Sequence, residues 1–124
     1  MKARENLVRL KRFQVNEKRK QLTQLDMMIA EFERMAGELE FQITAEEKKA
    51  GITDITHFAY PTFAKATRQR RDNLRDSQAD LKQQHAAAQA LLDEAELELT
   101  KAEELEVRER RTRNIEGGRA AATG

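Results

Sequence analysis

A seven-residue repeat runs through the first fifty residues without a polar interruption. Val8, Val15, Leu22, Ile29, Ala36, Ile43 and Ala50 stand seven apart. Taken as heptad a positions, they place d at Lys11, Lys18, Leu25, Phe32, Leu39 and Glu46. From Leu22 to Ile43 both sets are apolar. A stripe of this period is buried by a second helix wound round the first, which makes it a coiled-coil seam.

The second half of the chain repeats the device. Leu74, Leu81, Ala88, Ala95 and Ala102 are again seven apart and serve as d, with Arg71, Gln78, His85, Leu92, Leu99 and Glu106 at a. A period of seven, shorter than two full helical turns, implies left-handed supercoiling. Helices of about 45 residues would each span roughly 65 Å.

Punctuation sets the boundaries. Gly51 and Pro61 bracket the only internal stretch that reads as non-helical. Lys48 and Lys49 fall in the turn before Gly51, where cations offset the helix dipole and glycine takes the left-handed cap. Pro61 suits the first turn of a new helix. The predicted organisation is one all-α unit over 1–116, a long antiparallel two-helix coiled-coil hairpin. Helix one covers about 3–50, the connector about 51–61 and helix two about 62–116. Gly117-Gly118 ends the second segment, and 117–124 is expected to be a disordered tail.

Folding the hairpin at Ile55 pairs residues whose numbers add to 110. Val8 then meets Ala102, Val15 meets Ala95, Leu22 meets Ala88, Ile29 meets Leu81, and Ala36 meets Leu74. The alternate layers set Lys18 on Leu92, Leu25 on His85, Phe32 on Gln78 and Leu39 on Arg71. Charge selects the same arrangement. Residues 1–20 carry a net +6 and face 93–106, at −6. Residues 26–47, also −6, face Lys65, Arg68, Arg70, Arg71 and Arg75. Such blocks choose partner and orientation more than they add stability.

Composition narrows the function classes. Charged residues make up 36% of the 124 and aromatics 5%, against roughly 25% charged in an average globular protein. That leaves apolar material for a narrow seam and too little for a many-layered core. The absence of cysteine removes disulfides and thiolate chemistry and fits a reducing compartment. No run of about 18 apolar residues offers a membrane span, and no apolar segment after Met1-Lys2-Ala3-Arg4 suggests a signal peptide. His57 and His85 lack metal-ligand spacing, and a two-helix coiled coil offers no enclosed pocket to tune paired carboxylates such as Glu46-Glu47. The expectation is a protein that is not an enzyme and holds no metal or cofactor. His85, on the seam opposite Leu25, reads as a polar register-setter. The basic stretch from Lys2 to Lys20 is answered by 93–106 and lacks an aromatic stacking surface, so nucleic acid and direct membrane binding are not expected.

Apolar residues off the seam mark candidate contacts. Leu10 and Phe13 face away from helix two and suit a partner surface, because no second layer exists to cover them. Met27 and Phe41 lie on the outer face as well. Met28 and Met35 flank the seam and are expected at the margin of the core. Phe58, Tyr60 and Phe63, with Ile52 and Ile55 before them, make the connector the densest aromatic region. They fit a plug that closes the hairpin, a docking tip, or both.

Two long strings carry a family resemblance: the opening MKARENLVRLKRFQVNEKRKQLTQLDMMIAEFERM and the run HFAYPTFAKATRQRRDNL. They resemble the flagellar export protein FliJ family in its alphaproteobacterial branch, over most of residues 1–115. The resemblance implies a cytoplasmic coiled coil at the cytoplasmic face of the flagellar basal body, within the type III protein export apparatus. It implies a stalk-like partner of the hexameric export ATPase that also contacts the export gate membrane protein and export chaperones. Membrane association would come only through those partners. By the stalk analogy the paired termini enter the ATPase ring, with Arg4, Arg9, Lys11, Arg12 and Phe13 from helix one and Arg108, Arg110, Arg111 and Arg113 from helix two. Gate docking would then fall along the shaft or near Phe58, Tyr60 and Phe63. The family's second helix is expected to run beyond the break predicted at Gly117-Gly118. The residues by themselves also admit a general coiled-coil adaptor or chaperone, gripping amphipathic helices of export cargo through Leu10, Phe13, Met27 and Phe41.

Overall fold

In the computed structural model residues 2–123 are described, with side chains for 3–118. The fold is all-α, with two helices, α1 (Lys2–Ala50) and α2 (Thr62–Thr123), joined by a short connector. No strand occurs among the described residues. The chain divides into two compact units, one of residues 1–22 with 87–124 and one of residues 23–86. In each unit α1 and α2 pack antiparallel.

In the unit of residues 1–22 and 87–124 the core is thin and built from the predicted layers. Val15, Leu92 and Ala95 form its buried cluster, with Leu22 and Leu99 packed against it. Val8 and Ala102 are buried too, while Ala88 is half-buried. Ion pairs run along its edge: Arg4 to Glu109 at 3.2 Å, Lys11 to Glu98 at 2.9 Å, Arg12 to Glu103 at 3.4 Å and Arg19 to Glu96 at 3.3 Å. The residue numbers of these pairs add to between 109 (Lys11 with Glu98) and 115 (Arg12 with Glu103). They bracket the predicted 110.

The unit of residues 23–86 keeps the same register. Ala36, Ile43 and Leu81 are buried, and Leu25, Ile29, Phe32, Leu39 and Leu74 are half-buried. Half-burial follows from having only two helices, because no third layer covers the outer half of a seam side chain. Gln78, opposite Phe32, is buried at 4% exposure and fully engaged. Its Nε2 donates to the Ile29 carbonyl at 3.3 Å and to Glu33 at 2.9 Å, and its Oε1 accepts from Arg75 at 3.0 Å. His85 Nε2 lies 2.7 Å from Asp26 Oδ1, so the seam histidine reaches across to the facing helix.

Three sequence expectations need correction. Ala50, though on the repeat, is exposed, because the chain leaves the helix at the next residue. The seam also starts earlier on α2 than Leu74: Ala64 and Thr67 are buried at 0% and 1% exposure. Thr67 satisfies its hydroxyl by donating to the Phe63 carbonyl at 2.8 Å. The third concerns the end of α2, which passes through Gly117 and Gly118 to Thr123. Of the tail predicted over 117–124, Gly124 lies outside the described residues. Glycine costs a helix about 1 kcal/mol per residue but does not end it unless it turns left-handed. Gly51, at φ 72°, is the one described residue with positive φ. There the prediction of a cap holds: the Gly51 and Ile52 N–H groups both donate to the Glu47 carbonyl, at 2.8 and 3.2 Å. Both bonds satisfy the end of α1 in the manner of a glycine cap.

Candidate functional site

The two flanks of the seam differ in chemistry. On one flank, heptad position e of α1 faces e of α2, and charges alternate across it. Arg12 meets Glu103 and Arg19 meets Glu96 in one unit; Glu40 meets Arg75 and Glu47 meets Arg68 in the other. Each of these four pairs adds to 115. On the opposite flank, position g, side chains are mostly uncharged: Gln14, Gln21 and Leu91 in one unit, Met28, Met35, Ser77 and Gln84 in the other. One flank is thus closed by ions, while the other, apart from the Lys11–Glu98 pair, is open to apolar contact.

In the unit of residues 23–86 the open flank holds a shallow groove of about 380 Å³ between Met35, Leu39, Leu74 and Arg70. Met35 is half-buried, as expected for a core margin, whereas Met28 is 46% exposed and belongs more to the surface. Arg70 forms no ion pair among the described residues.

The basic residues assigned to the paired termini separate into two sets. Arg4, Lys11 and Arg12 are held by the carboxylates of α2, and Arg110 pairs with Glu106 one turn back on its own helix. Lys11 in turn holds the Glu98 carboxyl below its ordinary 4.5 through their hydrogen bond. Arg9, Arg108, Arg111 and Arg113 are exposed and form no ion pair among the described residues. Phe13 is 60% exposed and Leu10 51%. From Arg110 to Gly118 every side chain of α2 is exposed.

The connector divides its aromatics. Tyr60 is buried at 8% exposure, so it is a plug and not a docking residue. Its hydroxyl donates to Glu47 Oε2 at 3.0 Å and accepts from Arg68 Nε at 2.7 Å, while Arg68 Nη2 donates to Glu47 at 3.0 Å. These bonds, that from Arg68 foremost, hold the Glu47 carboxyl below its ordinary 4.5. Phe58 and Phe63 are exposed, as is Ile55. The signal that separates Tyr60 from its neighbours is the heptad: 60, 67 and 74 are successive d positions, and the two phenylalanines fall off that line.

The remaining off-seam candidates, Met27 and Phe41, are exposed at 68% and 77%. No group of three or more potential metal ligands occurs among the described residues. No helix among the described residues is long and apolar enough to cross a membrane. Compared with known proteins, the chain matches no family model, no curated protein and no solved structure.

Proposed function

We propose that the chain is a FliJ-type, non-enzymatic component of the flagellar type III protein export apparatus, working at the cytoplasmic face of the basal body without a cofactor. It binds the hexameric export ATPase as a stalk-like coiled coil, promotes ATP hydrolysis, and links the ring to the export gate protein and export chaperones. The observation that supports this reading most directly is the run of exposed guanidinium groups at Arg108, Arg111 and Arg113, with Arg9 from α1, which form no ion pair among the described residues. The resemblance of residues 1–35 and 57–74 to the family supplies the partner. A surface of this charge suits an acidic lumen, and attraction between exposed charges weakens as salt rises. The test is association with the purified ring. The stoichiometry expected is one chain per six ATPase subunits. Arg110→Glu with Arg111→Glu should weaken association while helix content stays unchanged. Normal binding by that double variant would refute the assignment of this end.

One observation favours a second reading, a general adaptor or chaperone for amphipathic helices of export cargo. The groove between Met35, Leu39 and Leu74 is apolar and open, and Arg70, which forms no ion pair among the described residues, lines it. Leu10, Phe13, Met27 and Phe41 add exposed apolar area on α1. Under this reading Phe13→Ala and Phe41→Ala abolish cargo binding and leave stimulation of the ATPase intact.

A further inference from the structure

The connector is built rigidly around side chains it leaves outside. Asp54 Oδ1 accepts from the Thr56 N–H at 2.9 Å and from its hydroxyl at 2.7 Å. The His57 N–H donates to the Asp54 carbonyl at 3.1 Å, and the Tyr60 N–H to the His57 carbonyl at 3.0 Å. His57 Nδ1 accepts from the Ala59 N–H at 3.0 Å. The turn is therefore held by its own polar groups, and none of its order comes from burying Phe58. Phe58 is 96% exposed, the highest value among the exposed large hydrophobic side chains, and its ring is stacked on His57 with centroids 4.7 Å apart. Ile55 and Phe63, at 47% and 52% exposure, lie on the same connector and the first turn of α2. A water-exposed apolar knob on a turn fixed in one shape is ready to insert, with little ordering left to lose.

Charge indicates what it inserts into. Residues 46–71 hold six basic and three acidic side chains. Two of the acids are engaged locally, Asp54 by Thr56 and Glu47 by Arg68 and Tyr60; Glu46 is half-buried. Lys48, Lys49 and Lys65 are exposed and form no ion pair among the described residues. Lys48 and Lys49 close the last turn of α1, and Lys65 lines one shallow concavity with Ile55 and Phe58. Lysine is a compact, strongly hydrated charge that lacks the planar fork by which arginine grips a single carboxylate. Exposed apolar side chains on a turn flanked by exposed lysines match a bilayer surface, with acyl chains beneath anionic headgroups. Neither element alone suffices, because stable surface binding needs an apolar anchor and a basic patch together.

We infer that the Phe58 connector is a lipid-docking tip, inserting Phe58, with Ile55 and Phe63 beside it, into the interface of an anionic bilayer while Lys48, Lys49 and Lys65 meet the headgroups. This goes beyond the proposed function, in which the membrane is reached through the gate protein. The chain contains no tryptophan, so Phe58→Trp in the full chain supplies a single reporter. It is titrated with vesicles of phosphatidylglycerol and phosphatidylethanolamine, and separately with phosphatidylcholine alone. The expected result is a blue shift of the emission on anionic vesicles, absent on phosphatidylcholine and reversed by salt. Replacing all three lysines by glutamine should lower partitioning by roughly fivefold for each lysine. In cosedimentation, Phe58→Ser should release the chain with its charge unchanged. These side chains are exposed, and circular dichroism verifies that the helices persist. No shift on either vesicle overturns the inference. So does binding without a shift, which would place the contact elsewhere on the chain. The vesicles contain lipid alone, so each of these outcomes leaves the ATPase-ring reading standing.

Discussion

The Tyr60 hydroxyl donates to Glu47 Oε2 at 3.0 Å, and Arg68 binds both partners. This triangle joins the last turn of α1 to the first turns of α2 beside the connector. Its members are mostly shielded from water, with the Glu47 side chain 12% exposed and that of Arg68 24%. Tyr60→Phe keeps the ring and removes the hydroxyl. It should lower unfolding stability in urea by about 1 kcal/mol. Phe58→Ala, which loses only the exposed stacking on His57, should change it by less than about 0.5 kcal/mol.

Leu92 is 5% exposed and packs with Val15 and Ala95. Leu92→Ala should cost about 2–3 kcal/mol, the low end for buried leucine, because solvent reaches a two-helix core easily. Leu10→Ala on the outer face should fall within about 0.5 kcal/mol of the parent. Equal effects in urea melts would mean that the seam is not where the layers place it.

Acid should destabilise the fold in a defined window. Glu47, Glu33 and Glu98 are held below 4.5 by hydrogen bonds from Arg68, Arg75 and Lys11 respectively. A carboxyl lowered in the folded state binds protons more readily when unfolded, so its contribution is complete above 4.5 and lost as pH falls through the lowered value. Thermal midpoints should stay level from neutral pH to about 5 as far as these groups are concerned, then decline. Glu47→Gln should start lower and show a shallower acid decline.

Gln78 occupies a seam layer that a leucine would fill without leaving a polar group unsatisfied. Gln78→Leu removes its bonds to Ile29 and Glu33 and frees Arg75 from one partner. Apolar replacement of a buried polar seam residue typically maintains or raises stability and loosens pairing specificity. The variant should melt no lower than the parent and show added higher oligomers by light scattering. A lower melt with unchanged mass would mean that Gln78 serves stability.

The repeat made the helices, their register and most of the core legible. Seven-residue spacing fixes which face is covered, and opposite charge blocks fix the direction of pairing. The early seam positions Ala64 and Thr67 were also present in the pattern, masked because alanine and threonine carry little hydrophobic signal. Phe58 and Tyr60 were harder to separate. Both are aromatic and two residues apart outside the helices, and only the seven-residue step from Tyr60 to Thr67 and Leu74 marks the buried one. Gly117 and Gly118 misled because glycine permits a stop without requiring one. Which arginines stay free was partly readable: Arg12 falls on the e flank that meets carboxylates, and Arg111 falls outside it at f.

In the proposed function the chain acts on an ATPase ring through exposed charge at its arginine-rich end. The most direct measurement is ATP hydrolysis by the cognate export ATPase, with and without the chain, across a salt series. Stimulation should fade as salt rises and be lost earlier with Arg110→Glu and Arg111→Glu. Absence of stimulation at every salt concentration would contradict it.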